Sequence, residues 1–175
     1  PSPPLVRQSS IPAGLGVQMS GLAWWTTDIG GYASGDPSDP DFRELIVRWF
    51  QFGATCPLFR QHGARDTEVW LLGEESEKAV VKVINWRASD EIKDYVTAVM
   101  EEVKETGEPI NRPLYWDFPE DENAWDVEAV ADGVEYMFGS EYLVAPVVVS
   151  GAREWKVYFP GEGLRWRGVW SGEVY

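Results

Sequence analysis

The chain has 175 residues, 44% of them hydrophobic and 25% charged, enough for one folded core and the start of a second. Lys and Arg number 15 against 29 Asp and Glu, and the formal charge of −14 repels phosphate backbones and anionic lipid, which sets aside nucleic acid and membrane surfaces as partners. With Cys56 the one cysteine and His62 the one histidine, neither an intrachain disulfide nor a zinc site is expected, and no apolar run approaches the ~20 residues of a membrane helix.

In chain order, residues 1–13, "PSPPLVRQSSIPA", are Pro- and Ser-rich and read as a loop or cut end. The chain opens at Pro1 rather than Met, so its true N-terminus is expected upstream and localisation, secreted or cytoplasmic, stays open. "GLGVQMSGLAWWTTDI" is a mostly apolar run of the kind found in strands buried on both faces, and "GYASGDPSDP" after it is a turn cluster. "DFRELIVRWFQFG" sets Phe42, Leu45, Ile46, Trp49 and Phe52 on one helical face. Ser38 or Asp39 can cap its start and Gly53 its end, which predicts a helix over about 40–52. "ATCPLFRQHG" reads as a second buried strand, with Cys56 as a small core residue.

From 74 to 106 the pattern is helical, in two pieces broken at "NWRASDE". Ile92, Tyr95, Val96, Val99 and Val103 share a face and Gly107 is the stop. Beyond it "PINRPLYWDF", "EYLVAPVVVS", "REWKVYFPGE" and "RWRGVWSGEVY" are short β-rich stretches between Gly, Pro and acidic turns, so a domain boundary is expected near 107. Strand, helix, strand, helix before it is α/β alternation, but two units cannot close a barrel that needs eight.

Asp28 stands where an apolar run meets the Gly30–Gly31 break. A carboxylate there can be a general acid or base, an acceptor for a sugar hydroxyl, or a cap on the turn. Arg60 and His62 lie two apart and would share a face of an extended strand, and His62 fits a ligand-binding role or a satisfied structural one equally. Ten tryptophans provide flat indole faces suited to sugar rings. Trp49 falls on the helix's core face, whereas Trp25, three residues before Asp28, is open to either role. "PEDENAWD" lacks the spaced ligands of a calcium loop and reads as solvated surface. No phosphate-cradling loop or serine nucleophile elbow is present.

Five blocks in order, "IPAGLGVQMSGLAWWTTDIGGY", "RWFQFGATCPLFRQHG", "GEPINRPLYWDFPED", "VEYMFGSEYLVAPV" and "KVYFPGE", resemble glycoside hydrolase family 31 across nearly the whole chain. The resemblance implies α/β plus all-β architecture: the last quarter of a (β/α)8 TIM barrel in 1–106, then the start of a C-terminal β-sandwich in 107–175. It implies part of a retaining exo-α-glycosidase acting on terminal α-linked xylose or glucose of an oligosaccharide, with no metal or cofactor. The family's nucleophile and acid/base aspartates lie in "W-x-D" and "W-x-G-D" type segments, expected upstream of Pro1, so no residue here is expected to be catalytic. Asp28 matches the family's third carboxylate, at the end of barrel strand seven. Tyr32 matches an aromatic beside the bound sugar and His62 a histidine that hydrogen-bonds a sugar hydroxyl; Trp25 and Arg60 complete the expected substrate-binding set. Two blocks depart from the family pattern, "NWRASDEIKDYV" in the last barrel helix and "GVEYMFG" in place of "DQYMFG". The alternative is a non-catalytic or degenerate sugar-binding module that keeps Trp25, Tyr32 and His62 as a stacking site. Oligomeric state is not legible.

Overall fold

The computed structural model describes residues 10–33, 35–66, 68–126 and 134–175. Of the stretch 1–13 read above as loop or cut end, residues 1–9 lie outside them. Helix α1 spans Ser10–Met19, and an extended segment then runs to Ile29. Helix α2, Pro40–Gly53, leads to a second extended segment that lies parallel to the first. The two segments meet at one bridge, Ile29 with Gln61, and through the Leu58 N–H to Trp25 carbonyl (3.2 Å) and Ile29 N–H to Arg60 carbonyl (3.2 Å) bonds. Segment, helix, parallel segment is one crossover unit. A short 3-10 helix, Val69–Leu72, precedes α3, Glu74–Arg87, and α4, Asp90–Thr106.

Capping explains where these helices begin and end. Asp39, not Ser38, caps α2 by accepting the Asp41 N–H, and Ser89 accepts the Ile92 N–H at the head of α4. The break in the helical stretch falls between Arg87 and Asp90, and Gly107, at φ 77°, closes α4 with a bond from its N–H to the Val103 carbonyl.

After Gly107 come β1, Asn111–Pro113; α5, Leu114–Asp117; a 3-10 turn, Glu122–Trp125; β2, Tyr136–Phe138; and β3, Tyr142–Val144. The strands form one antiparallel sheet in the order β1-β2-β3, with Asn111 opposite Phe138 and Tyr136 opposite Val144. The main core crosses the boundary read in the sequence. Ile11 and Leu15 of α1, Phe52 of α2 and Val99 of α4 pack with Ile110, Tyr136 and Phe138. A second cluster, around Ile29, Ile46, Phe50, Val80 and Val83, fills the space between α2, α3 and the first extended segment.

Three readings need correction. Residues 14–19, read as part of a buried strand, and 10–13, read as part of a loop, belong to α1. In the remainder of the apolar run only Ile29 is bridged, while Leu22 and Trp24 are exposed, so it is not a strand buried on both faces. Helix α1 is apolar on most sides, so no contrast of faces reveals its period, and an apolar run alone does not separate helix from strand. Gly14 counts against a helix by propensity, yet packing needs it: a Cβ there would lie 2.7 Å from the Trp25 indole. Cys56 is buried as expected but sits in the bend after α2 rather than in a strand, where burial raises its thiol pKa far above the usual range. Of the four stretches read as β-rich, "PINRPLYWDF" carries β1 but also helix α5 and "EYLVAPVVVS" carries β3, while 153–162 carries no strand and 165–175 a single antiparallel bridge, Arg167 with Val174.

Candidate sugar-binding site

Asp28 and Arg60 sit one residue before the bridged pair Ile29 and Gln61, so they leave the two parallel segments on the same side. Ile29 points inward and is fully buried, which turns its neighbours outward. Arg60 Nη2 lies 3.2 Å from Asp28 Oδ1, and the side chains are 51% and 33% exposed. An ion pair this open contributes at most about 1 kcal/mol to folding. It presents a carboxylate and a guanidinium to solvent, an acceptor and donors in fixed relation.

Beyond this pair each segment turns. The Gly31 N–H donates to the Asp28 carbonyl at 2.7 Å, and Gly30 and Gly31 take φ values of 86° and 76° that other residues seldom adopt. The turn delivers Tyr32, and the second segment delivers His62, with their rings 5.4 Å apart and inclined at 46°. Both residues are exposed. The loops are tied by the Ala64 N–H to the Tyr32 carbonyl at 2.7 Å and by Arg65 Nη1 to the Gly31 carbonyl at 2.5 Å. Below the site Trp49 of α2 donates its indole N–H to Thr27 Oγ1 at 2.9 Å, and Thr26 Oγ1 donates to the Leu58 carbonyl at 2.7 Å.

The structure thus brings together Asp28, Arg60, Tyr32 and His62, at the ends of two parallel neighbours. Trp25 is placed otherwise. Its ring packs on Gly14 and lies 6.1 Å from the Phe52 ring, partly buried against the main core, while Trp24 beside it is 65% exposed. Arg65 was not anticipated. In "HGARD" it reads as an ordinary loop arginine, and its burial comes from partners distant in sequence, Phe42 and Gly30. Among the described residues no cluster of three or more His, Cys, Asp and Glu could hold a metal ion, and no helix is long and apolar enough to cross a membrane.

An open cluster of this kind, one carboxylate, one guanidinium, an imidazole and a phenol, offers donors and acceptors at several angles beside aromatic faces. These are the contacts that a polyhydroxylated ring uses.

Family models place the same architecture. Residues 7–89 match the glycosyl hydrolases family 31 TIM-barrel domain and residues 107–175 match the glycosyl hydrolase family 31 C-terminal domain. The chain belongs to glycosyl hydrolase family 31: it comprises the end of the family's TIM-barrel domain and, after it, C-terminal-domain sequence. An alpha-xylosidase from Saccharolobus solfataricus is 35% identical over 95% of this chain, and alpha-glucosidase 2 from Bacillus thermoamyloliquefaciens is 33% identical over 95%. Among solved structures, a family 31 alpha-xylosidase from a soil metagenome, complexed with xylose, is 37% identical over 94% of the chain with a TM-score of 0.85. A xylosidase from Aspergillus niger is 30% identical over 96%, with a TM-score of 0.87. The chain spans 22% of the length of the Saccharolobus protein and 26% of that of the soil-metagenome enzyme.

Proposed function

We propose that this chain is the sugar-recognising end of a retaining exo-α-glycosidase that removes terminal α-linked xylose or glucose from oligosaccharides. The observation that carries the reading is the convergence of the Asp28–Arg60 pair and the Tyr32–His62 rings at the ends of two parallel segments, in a family 31 chain. Asp28 accepts from a sugar hydroxyl while Arg60 fixes its orientation, His62 bonds a second hydroxyl, and Tyr32 offers its ring to the pyranose face. Trp25 serves from behind, holding the segment that ends in Asp28 against α1 and α2. The barrel part runs through residue 106 and the C-terminal domain starts at 107.

A retaining mechanism needs two carboxyl groups about 5 Å apart, one as nucleophile and one as acid/base. Asp28 is engaged by Arg60, and we assign both reacting groups to parts of the protein outside these 175 residues. No metal or cofactor enters the proposal.

The test is hydrolysis of p-nitrophenyl α-xyloside and α-glucoside by the full-length protein and by the 175-residue chain alone. Turnover by the former, with the α-sugar as first product, and none by the latter is the expected result. An inactive full-length protein would favour a pure binding module. Turnover by the short chain that Asp28→Asn abolishes would make Asp28 a reacting group and overturn the assignment.

A further inference from the structure

Arg65 lies just behind the sugar-binding cluster. Its guanidinium carbon is 5.1 Å from the centre of the Phe42 ring on α2, and its Nη1 donates to the Gly31 carbonyl at 2.5 Å. Nη2 is buried and, among the described residues, has no hydrogen-bond partner. Burial lowers the guanidinium pKa below the usual range. Leaving a buried donor unmatched costs free energy, and a surface arginine would swing out to water to avoid it. The local packing holds this one in place.

The turn is shaped around it. A Cβ at Gly30 would collide with Nη2 and with Ile46 Cδ1, and one at Gly63 would lie 3.1 Å from Nη1 and 3.0 Å from the Tyr32 carbonyl. Two glycines on separate loops therefore leave room for a single guanidinium, which is clamped between α2 and the Gly30–Gly31 turn. That turn begins at Asp28 and ends at Tyr32, and the loop that carries Arg65 also carries His62.

We infer that Arg65 is a positioning residue: it locks the turn bearing Asp28 and Tyr32 to the loop bearing His62, so that the sugar-binding groups are held as one unit. The inference rests on the sugar-site reading above. Arg65 touches no substrate. It acts through the Gly31 carbonyl, and its removal frees the turn to move relative to His62.

The experiment is a double-mutant cycle in the full-length enzyme with Arg65→Met, His62→Ala and the double variant, plus Arg65→Lys, each measured as kcat/KM per active-site-titrated molecule. Arg65→Met should lower kcat/KM roughly tenfold, and the double variant should lose clearly less than the product of the two single losses, because the His62 contact is already impaired once the loops uncouple. Arg65→Lys, which keeps a donor within reach of Gly31, should recover part of the loss. A merely structural arginine would lower the melting temperature and leave the single losses multiplicative, and that result, or an unchanged kcat/KM in Arg65→Met, overturns the inference. A wild-type enzyme without α-glycosidase activity would instead sink the functional reading on which the cycle depends.

Discussion

Two arginines in this chain meet carboxylates in opposite surroundings. Arg60 meets Asp28 with half of its side chain in solvent. Arg112 is 3% exposed and collects three acidic partners, Asp117 at 3.1 Å, Glu102 at 3.2 Å and Glu108 at 3.3 Å, while its Nε donates to the Pro109 carbonyl at 2.8 Å. The Arg112 cluster joins α4, the connecting segment after Gly107, β1 and α5, and it lies beside another buried network. There Gln18 of α1 exchanges two bonds with Asn111, Asn111 Nδ2 donates to the Thr55 carbonyl, and Thr55 bonds the Tyr136 hydroxyl. Every polar group in that second network is spent on another part of the protein. At the Asp28 cluster the polar atoms face outward. The junction around residues 111 and 112 ties the parts of the fold together, whereas the side chains at the loop ends stand exposed.

The largest expected effect comes from breaking the junction. Arg112→Met strands Asp117, whose carboxyl is already raised in pKa by burial against the pull of Arg112, and leaves the Pro109 carbonyl without its donor. Removing one partner of a buried ion pair costs about 3–5 kcal/mol. With the carboxylates partly exposed the lower end applies, and equilibrium unfolding in urea should show a loss of about 3 kcal/mol. A loss below about 1 kcal/mol would mean that the cluster is no stronger than a surface pair.

A second effect separates the regions by pH. Glu135 is buried, and both of its oxygens accept the Tyr158 N–H, at 3.0 and 3.2 Å. Burial pushes its pKa up from 4.5 to about 7, against the Tyr158 bond and Lys156. The folded state therefore holds this proton more tightly than the unfolded one. The resulting stability is fully present below pH 4.5 and is lost as pH rises through 7, by up to about 3 kcal/mol. Wild-type melting temperature should fall between pH 5 and pH 8, and Glu135→Gln should flatten that fall. An equal fall in both proteins would remove Glu135 as its source.

How much of this was legible in the sequence depends on contrast between faces. Helices α2 and α4 could be read because apolar spacing, the capping candidates Ser38 and Asp39 before α2, and the stop at Gly107 after α4 point the same way, whereas Ser89 shows itself as the cap of α4 only in the structure. Helix α1 could not, since its apolar surround hides the period and Gly14 argues against a helix until Trp25 is seen packed on it. Of the three strands, each of three residues, β1 and β3 fall within stretches read as β-rich, while β2 is too short for an alternation to be recognised. At the site, the two-residue step from Arg60 to His62 placed both on one side, but their partners, Asp28 and Tyr32, are set by parallel pairing, which no local pattern encodes. Arg65 is the clearest case of a residue defined by tertiary packing alone.

The central claim, that the loop ends around Asp28 and His62 bind sugar rather than brace the fold, is tested most directly by His62→Ala in the full-length enzyme, with kcat/KM for the α-xyloside or α-glucoside measured per active-site-titrated molecule and stability measured alongside. A hydrogen bond to a sugar hydroxyl that strengthens in the transition state is worth about 1–3 kcal/mol. The account therefore predicts a roughly ten- to hundredfold fall in kcat/KM. Because His62 is exposed, stability should change by no more than about 0.5 kcal/mol. Unchanged kcat/KM with a lowered melting temperature would contradict it.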